Sequence, residues 1–238
     1  GGSIAATRGI LAEIDNEAEL GALLGHEIGH VNARHTAEHA SKTMITQVAV
    51  AGVGIAAQVS GFGGLGSLAE DIGNIGAGAL LAHYSRENER EADALGMEYL
   101  HRAGLNPEGM VGLHEILQRQ SRERPSAIEL MFSTHPMSDE RVANARETMR
   151  SRYAADRGLP FNRERYQDKT AAVRRIKGAL QSMQRADTDM RKKDYSRAEQ
   201  ELNQALKQAP NDYAALVMMS KCQLALERPE QAQRYASQ

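Results

Sequence analysis

Apolar residues return at helical spacing along Leu20, Leu23, Leu24, Ile28 and Val31, marking one face of a helix. Asn16 with Glu19 three residues on reads as a capping box at its start, and the pattern carries the helix through Arg34 to about Ser41. A second helix is predicted from about Tyr84 to His101, ended by Gly104 with Pro107 beyond it. Two more follow, from Pro107 to about Arg119 and from about Ser138 to Arg150. Ahead of all of these, Ser3 to Thr7 read as a short strand leading into a turn at Arg8-Gly9. Gln47 to Leu81 breaks the pattern with Gly61, Gly63, Gly64 and Gly66, because glycine is a poor helix former. It reads as two short helices joined by a flexible loop, either over a cleft or as an ordinary connection. Gln120 to Pro136 is expected to be irregular, and Phe161 to Gln167 is a polar boundary.

From Thr170 onward the pattern is helical and repeats. Asp194, Tyr195, Ala198, Leu202, Ala205 and Pro210 fit the second half of a tetratricopeptide repeat, and Leu216, Met219, Ser220 and Ala232 fit the next period. A generic helical hairpin is the alternative. Uncapped repeats expose an apolar face, so the natural protein is expected to continue past Gln238. The start at Gly1-Gly2-Ser3, without Met or signal peptide, reads as a mature or trimmed chain, from which any targeting segment would be gone.

Composition changes this picture little. The 238 residues are 41% hydrophobic and 25% charged, ordinary for a globular protein. A net charge of −2 gives no electrostatic reason to expect nucleic acid as a partner. The lone Cys222 excludes an intramolecular disulfide. No apolar run reaches the ~18 residues of a membrane span. Met44 to Ala57 comes nearest and reads as a packed helix or flap, leaving peripheral membrane contact through 44–82 as an expectation.

The chemistry sits in His26-Glu27-Ile28-Gly29-His30. Residues i and i+4 share a helix face, so His26 and His30 are placed to hold one zinc ion through neutral nitrogens. Glu27, beside them, is the candidate general base toward a zinc-activated water, and Gly29 is read as leaving space against the metal. A catalytic zinc needs a third protein ligand. Glu89-Arg90-Glu91-Ala92-Asp93 on the second helix offers Glu89, with Asp93 one turn on to accept an N–H from a ligand histidine. Glu91 is the competing ligand. The fold is therefore mainly α (α+β). A zinc metallopeptidase domain is expected over 1–160, a linker or connecting helix over 161–178 and partial tetratricopeptide repeats over 179–238.

These motifs make residues 1–150 resemble the HtpX- and BepA-like gluzincin metallopeptidases, relatives of the CAAX prenyl proteases. The residues carrying the likeness are Leu24 to His30 with Arg34-His35, Tyr84-Ser85-Arg86 leading into Glu89 to Asp93, and Thr134-His135-Pro136 with Arg141. The resemblance favours Glu89 over Glu91 as third ligand. It implies that His135 either blocks the open zinc position or stabilises the oxyanion, with Arg141 as a nearby electrostatic partner. It also implies an edge strand over Gly2 to Ile10, so that Ser3, Ile4, Ala5 and Ala6 pair with an extended substrate. A small sheet, one Zn2+ per chain, protein substrates, a partner docked by the repeat tail, and a periplasmic or envelope-associated location complete the expectation. No chemistry is assigned to His35 or His39. The opposing class is a non-catalytic adaptor with a structural zinc, against which the retained Glu27 argues.

Overall fold

The computed structural model describes residues 3–39, 41, 84–123, 135 and 138–238. Residues 44–82, with Gly2, Thr134 and Pro136, lie outside the described residues, and so does the expected lid or membrane contact. The helices in chain order are α1 (Arg8–Glu13), α2 (Glu17–Asn32), α3 (Arg86–Arg102), α4 (Gly109–Glu123) and α5 (Asp139–Ser151). A 3-10 turn over Ala154–Gly158 follows, then α6 (Arg163–Arg175), α7 (Lys177–Arg191), α8 (Tyr195–Gln208), α9 (Tyr213–Ala225) and α10 (Pro229–Ala236). None of the described helices is long and apolar enough to cross a membrane. Backbone contacts divide the chain into two units. One holds Gly1–Ile4, Gly21–Val111 and Leu130–Leu159; the other holds Ala5–Leu20, Gly112–Glu129 and Pro160–Gln238.

The described residues contain no strand, which corrects the expected edge-strand sheet. Thr7 is extended, but its hydroxyl accepts the N–H of Ile10 and caps α1. Arg8 and Gly9 thus open a helix instead of a turn, and Ile10 and Ala12 bury its apolar side. Ser3, Ile4, Ala5 and Ala6 precede it outside any ladder.

Helix α2 begins where Asn16 Oδ1 accepts the Glu19 N–H at 3.0 Å, while Glu19 Oε2 accepts the Asp15 N–H at 2.8 Å. Removing this cap with Asn16→Ala is expected to cost about 1 kcal/mol, read as a lowered midpoint in thermal or urea unfolding. The helix stops at Asn32, well short of Ser41, because the chain turns through Ala33 and Arg34, whose φ is +59°. Helical backbone resumes over 35–39.

Past Leu23, which is buried, the inward face of α2 is small and polar rather than aliphatic. It carries Gly25, His26, Gly29 and His30, while Ile28 and Val31 remain 39% and 44% exposed. The reason is how closely α3 packs. A Cβ on Gly25 would lie 3.1 Å from Gly96 Cα, and one on Gly29 would lie 3.0 Å from both Ala92 Cα and Ala92 O. Gly29 therefore makes room for the backbone of α3, not for a metal. Its absent side chain sets the helix separation on which the site depends.

Helix α3 is fixed at both ends. Ser85 and Asn88 form a reciprocal capping box. At the other end Gly104, at φ +70°, lets the Leu105 N–H reach Leu100 O and the Gly104 N–H reach His101 O. That left-handed residue satisfies carbonyls the helix would otherwise leave bare. Buried Asn106 then ties the chain to the end of the 3-10 turn through Arg157 O and Leu159 O.

In the second unit, α6 occupies Arg163–Arg175, so helix begins inside the polar boundary expected over Phe161 to Gln167. Tyr166 is buried and donates its hydroxyl to Leu11 O on α1. Helices α7 to α10 pack around an apolar interior in which Ala186, Ala198, Leu202, Ala205, Ala215, Met219 and Cys222 are fully buried. Asp194 and Asp212 cap α8 and α9 through the N–H groups of Arg197 and Ala215.

Candidate metal centre

Because α2 and α3 approach so closely, the imidazoles of one meet the carboxylates of the other. His26 Nε2 lies 3.0 Å from His30 Nε2. Glu89 closes the group, with Oε1 3.3 Å from His30 Nε2 and Oε2 3.6 Å from His26 Nε2. His135 is the fourth member. Its Nδ1 lies 3.2 Å from His26 Nε2 and 2.9 Å from Glu89 Oε1. All four donor atoms fall within 4.8 Å of one another.

The donor set fits zinc on two counts. Tetrahedral bonds of about 2.0–2.1 Å imply ligand-to-ligand edges of about 3.3 Å, and the distances above run from 2.9 to 3.6 Å. In addition, Asp93 Oδ1 lies 2.9 Å from His26 Nδ1. A carboxylate only accepts, so His26 carries its proton on Nδ1 and turns the lone pair of Nε2 into the group. A lone pair facing a second imidazole at 3.0 Å is stable only with a cation or a shared proton between them.

Charge is balanced by Arg141 on α5. Its Nε and Nη2 donate to both oxygens of Asp93 at 2.8 and 2.7 Å, and its Nη1 lies 2.6 Å from Glu89 Oε2. The last contact is an ion pair without hydrogen-bond alignment, since Oε2 accepts no hydrogen bond. Burial alone would raise the Glu89 pKa. The hydrogen bond with His135, the adjoining His30 and His26 rings and the charge of Arg141 outweigh it and bring the carboxyl down to about 2. Burial foremost lowers His30, with His26 and His135 adding to it against Glu89. Arg141 is itself buried, which lowers its pKa, but its bonds to Asp93 and the charge of Glu89 raise it overall.

Glu27 stands outside the donor group and is partly open to solvent; its Oε1 is 3.6 Å from His135 Nε2. His135 thus lies between Glu27 and the other donors. Glu91, the competing ligand, points elsewhere and meets His35 Nε2 at 3.3 Å. His35, passed over in the sequence, is buried with Nδ1 2.9 Å from His30 Nδ1. Tyr84 stacks on the His30 ring at 4.0 Å, its hydroxyl 2.9 Å from Thr36 Oγ1. The sequence signal for His35 was its place in the Arg34-His35 pair that helps carry the family resemblance.

Two imidazoles and a buried carboxylate on paired helices, with a glutamate beside them, define a metallopeptidase-type centre. The chain belongs to peptidase family M48, whose model matches residues 1–149, and a tetratricopeptide repeat model matches 189–238. Among its relatives, the beta-barrel assembly-enhancing protease of Yersinia pestis is 33% identical over 150 residues, covering 61% of this chain and 30% of the relative. Its Escherichia coli counterpart is 30% identical over the same shares. Metalloprotease LoiP of Escherichia coli is 35% identical over 136 residues, 57% of this chain and 50% of the relative. The match thus spans less than two thirds of the length of each of these relatives.

Proposed function

We propose that this protein is a zinc-dependent endopeptidase holding one zinc per chain through His26, His30 and Glu89. The observation that carries the reading is the four-donor cluster, its donor atoms within 4.8 Å of one another and five of their contacts between 2.9 and 3.6 Å. When bound, zinc supplies a Lewis acid that makes water a nucleophile near neutral pH. Glu27 accepts the proton of the attacking water and passes it to the leaving amine, a task open to it because it is not itself a donor in the cluster. Asp93 holds His26 in the tautomer that presents Nε2, and Arg141 holds Asp93 and offsets the charge of Glu89.

His135 completes the donor set and fills the space in front of Glu27. A catalytic site keeps one position open, so this arrangement supports a closed, inhibited state. His135→Ala is expected to raise the rate of cleavage of unfolded casein several-fold. Unchanged or lower activity would leave His135 as an oxyanion donor or a bystander. The same closure favours a second reading, a structural zinc in a non-catalytic adaptor. Casein cleavage that a chelator stops and added zinc restores supports the peptidase. Zinc binding without cleavage by either form supports the adaptor.

The substrates proposed are misfolded or stalled envelope proteins, presented through the repeat helices. Support comes from the tetratricopeptide match and from relatives named for β-barrel assembly. An envelope-associated location goes with that proposal.

A further inference from the structure

We infer that His35 and Glu91 form a relay that positions His30, holding it as the tautomer protonated on Nδ1; the inference rests on the metallopeptidase reading of the site. The His35 side chain is 2% exposed and the Glu91 side chain 60% exposed, so the relay runs from solvent to a buried ring. Glu91 Oε2 is 3.3 Å from His35 Nε2, and a carboxylate only accepts. The proton of a neutral His35 therefore sits on Nε2, and Nδ1 offers a lone pair. That lone pair faces His30 Nδ1 at 2.9 Å, a hydrogen bond that forms only if His30 donates.

With its proton on Nδ1, His30 turns an Nε2 lone pair toward His26 Nε2 and Glu89 Oε1. The opposite tautomer would donate to His26 and close the group to a cation. Both candidate ligand histidines thus have a partner on Nδ1. For His26 it is a carboxylate directly; for His30 it is a carboxylate through a second imidazole. Local backbone makes this possible. The turn at Arg34, with φ +59°, redirects the chain and returns His35 beside His30. Tyr84 stacks on the same His30 ring, restricting its rotation.

The unmodified chain provides the first test. With 15N-histidine labelling and zinc loaded, His30 Nδ1 is expected to be protonated and His35 Nδ1 unprotonated, with a 15N–15N coupling across the shared hydrogen bond. The reverse protonation, or no shared proton, overturns the relay. Variants provide the second. His35→Phe keeps ring volume and loses the acceptor, and its zinc Kd by chelator competition is expected to rise about 10–100-fold. His35→Asn places an oxygen near the old Nδ1 position and is expected to recover most of that affinity. Wild-type affinity in a folded His35→Phe chain would overturn the relay alone. Absence of zinc binding by the wild type would instead overturn the metallopeptidase reading beneath it. If His35→Phe does not fold, the labelling experiment decides.

Discussion

Glu27→Gln is expected to lower kcat for casein cleavage by on the order of 10²–10⁴-fold while zinc content stays at one per chain. Glutamine keeps the shape of the side chain and cannot take a proton. Glu27 is not among the four clustered donors, so its neutralisation should leave metal affinity within about threefold of wild type. Its side chain is 29% exposed, enough for water to reach the carboxylate. The comparison is cleanest on a His135→Ala background, where the group between Glu27 and the cluster is gone. Retained activity would remove Glu27 from the mechanism. Loss of zinc together with activity would make Glu27 a structural element of the centre instead.

The second large effect is expected at Gly29, a residue with no side chain of its own. A Cβ on Gly29 would sit 3.0 Å from the Ala92 backbone, and backbone cannot step aside as a flexible side chain can. Gly29→Ala should force α2 and α3 apart by a few tenths of an ångström, and Gly29→Val by more. Overpacking of this kind costs about 1–3 kcal/mol. The effect on metal should be larger than the stability loss suggests, since a site must hold its donors within about 0.5 Å. Zinc affinity is expected to fall more than tenfold in Gly29→Val. Gly96→Ala is the useful contrast. Its Cβ would first meet the flexible Met110 Cε at 2.6 Å, so part of the strain can relax, although His26 N stands at 3.0 Å. Equal zinc affinity in wild type and Gly29→Val would show that helix separation does not set the site.

What could be read in the sequence was what repeats locally. The i, i+4 spacing of His26 and His30, the Asn16 and Glu19 cap, and the apolar positions Ala198, Leu202 and Ala205 each depend on a few neighbouring positions. Properties set by distant backbone were not legible in this way. Hydropathy put Leu23, Ile28 and Val31 on the core face; Leu23 is buried there, but past it the face is glycine and histidine, because the α3 backbone lies too close to Gly25 and Gly29 for larger side chains. His35 was discounted on the assumption of an unbroken helix, in which it projects away from His30. A single left-handed residue at Arg34 reverses that geometry. The strand expected at Ser3 to Thr7 came from the residues themselves, and its extension to an edge strand over Gly2 to Ile10 from resemblance. A strand needs a neighbour to pair with, and the hydroxyl of Thr7 instead starts a helix one residue later.

The most direct measurement is anomalous diffraction at the zinc edge from crystals of the zinc-loaded chain. The expected result is one peak per chain, about 2.0–2.2 Å from His26 Nε2, His30 Nε2 and a Glu89 oxygen. A peak at another position, or none after saturation with zinc, would contradict the metal centre on which this account rests.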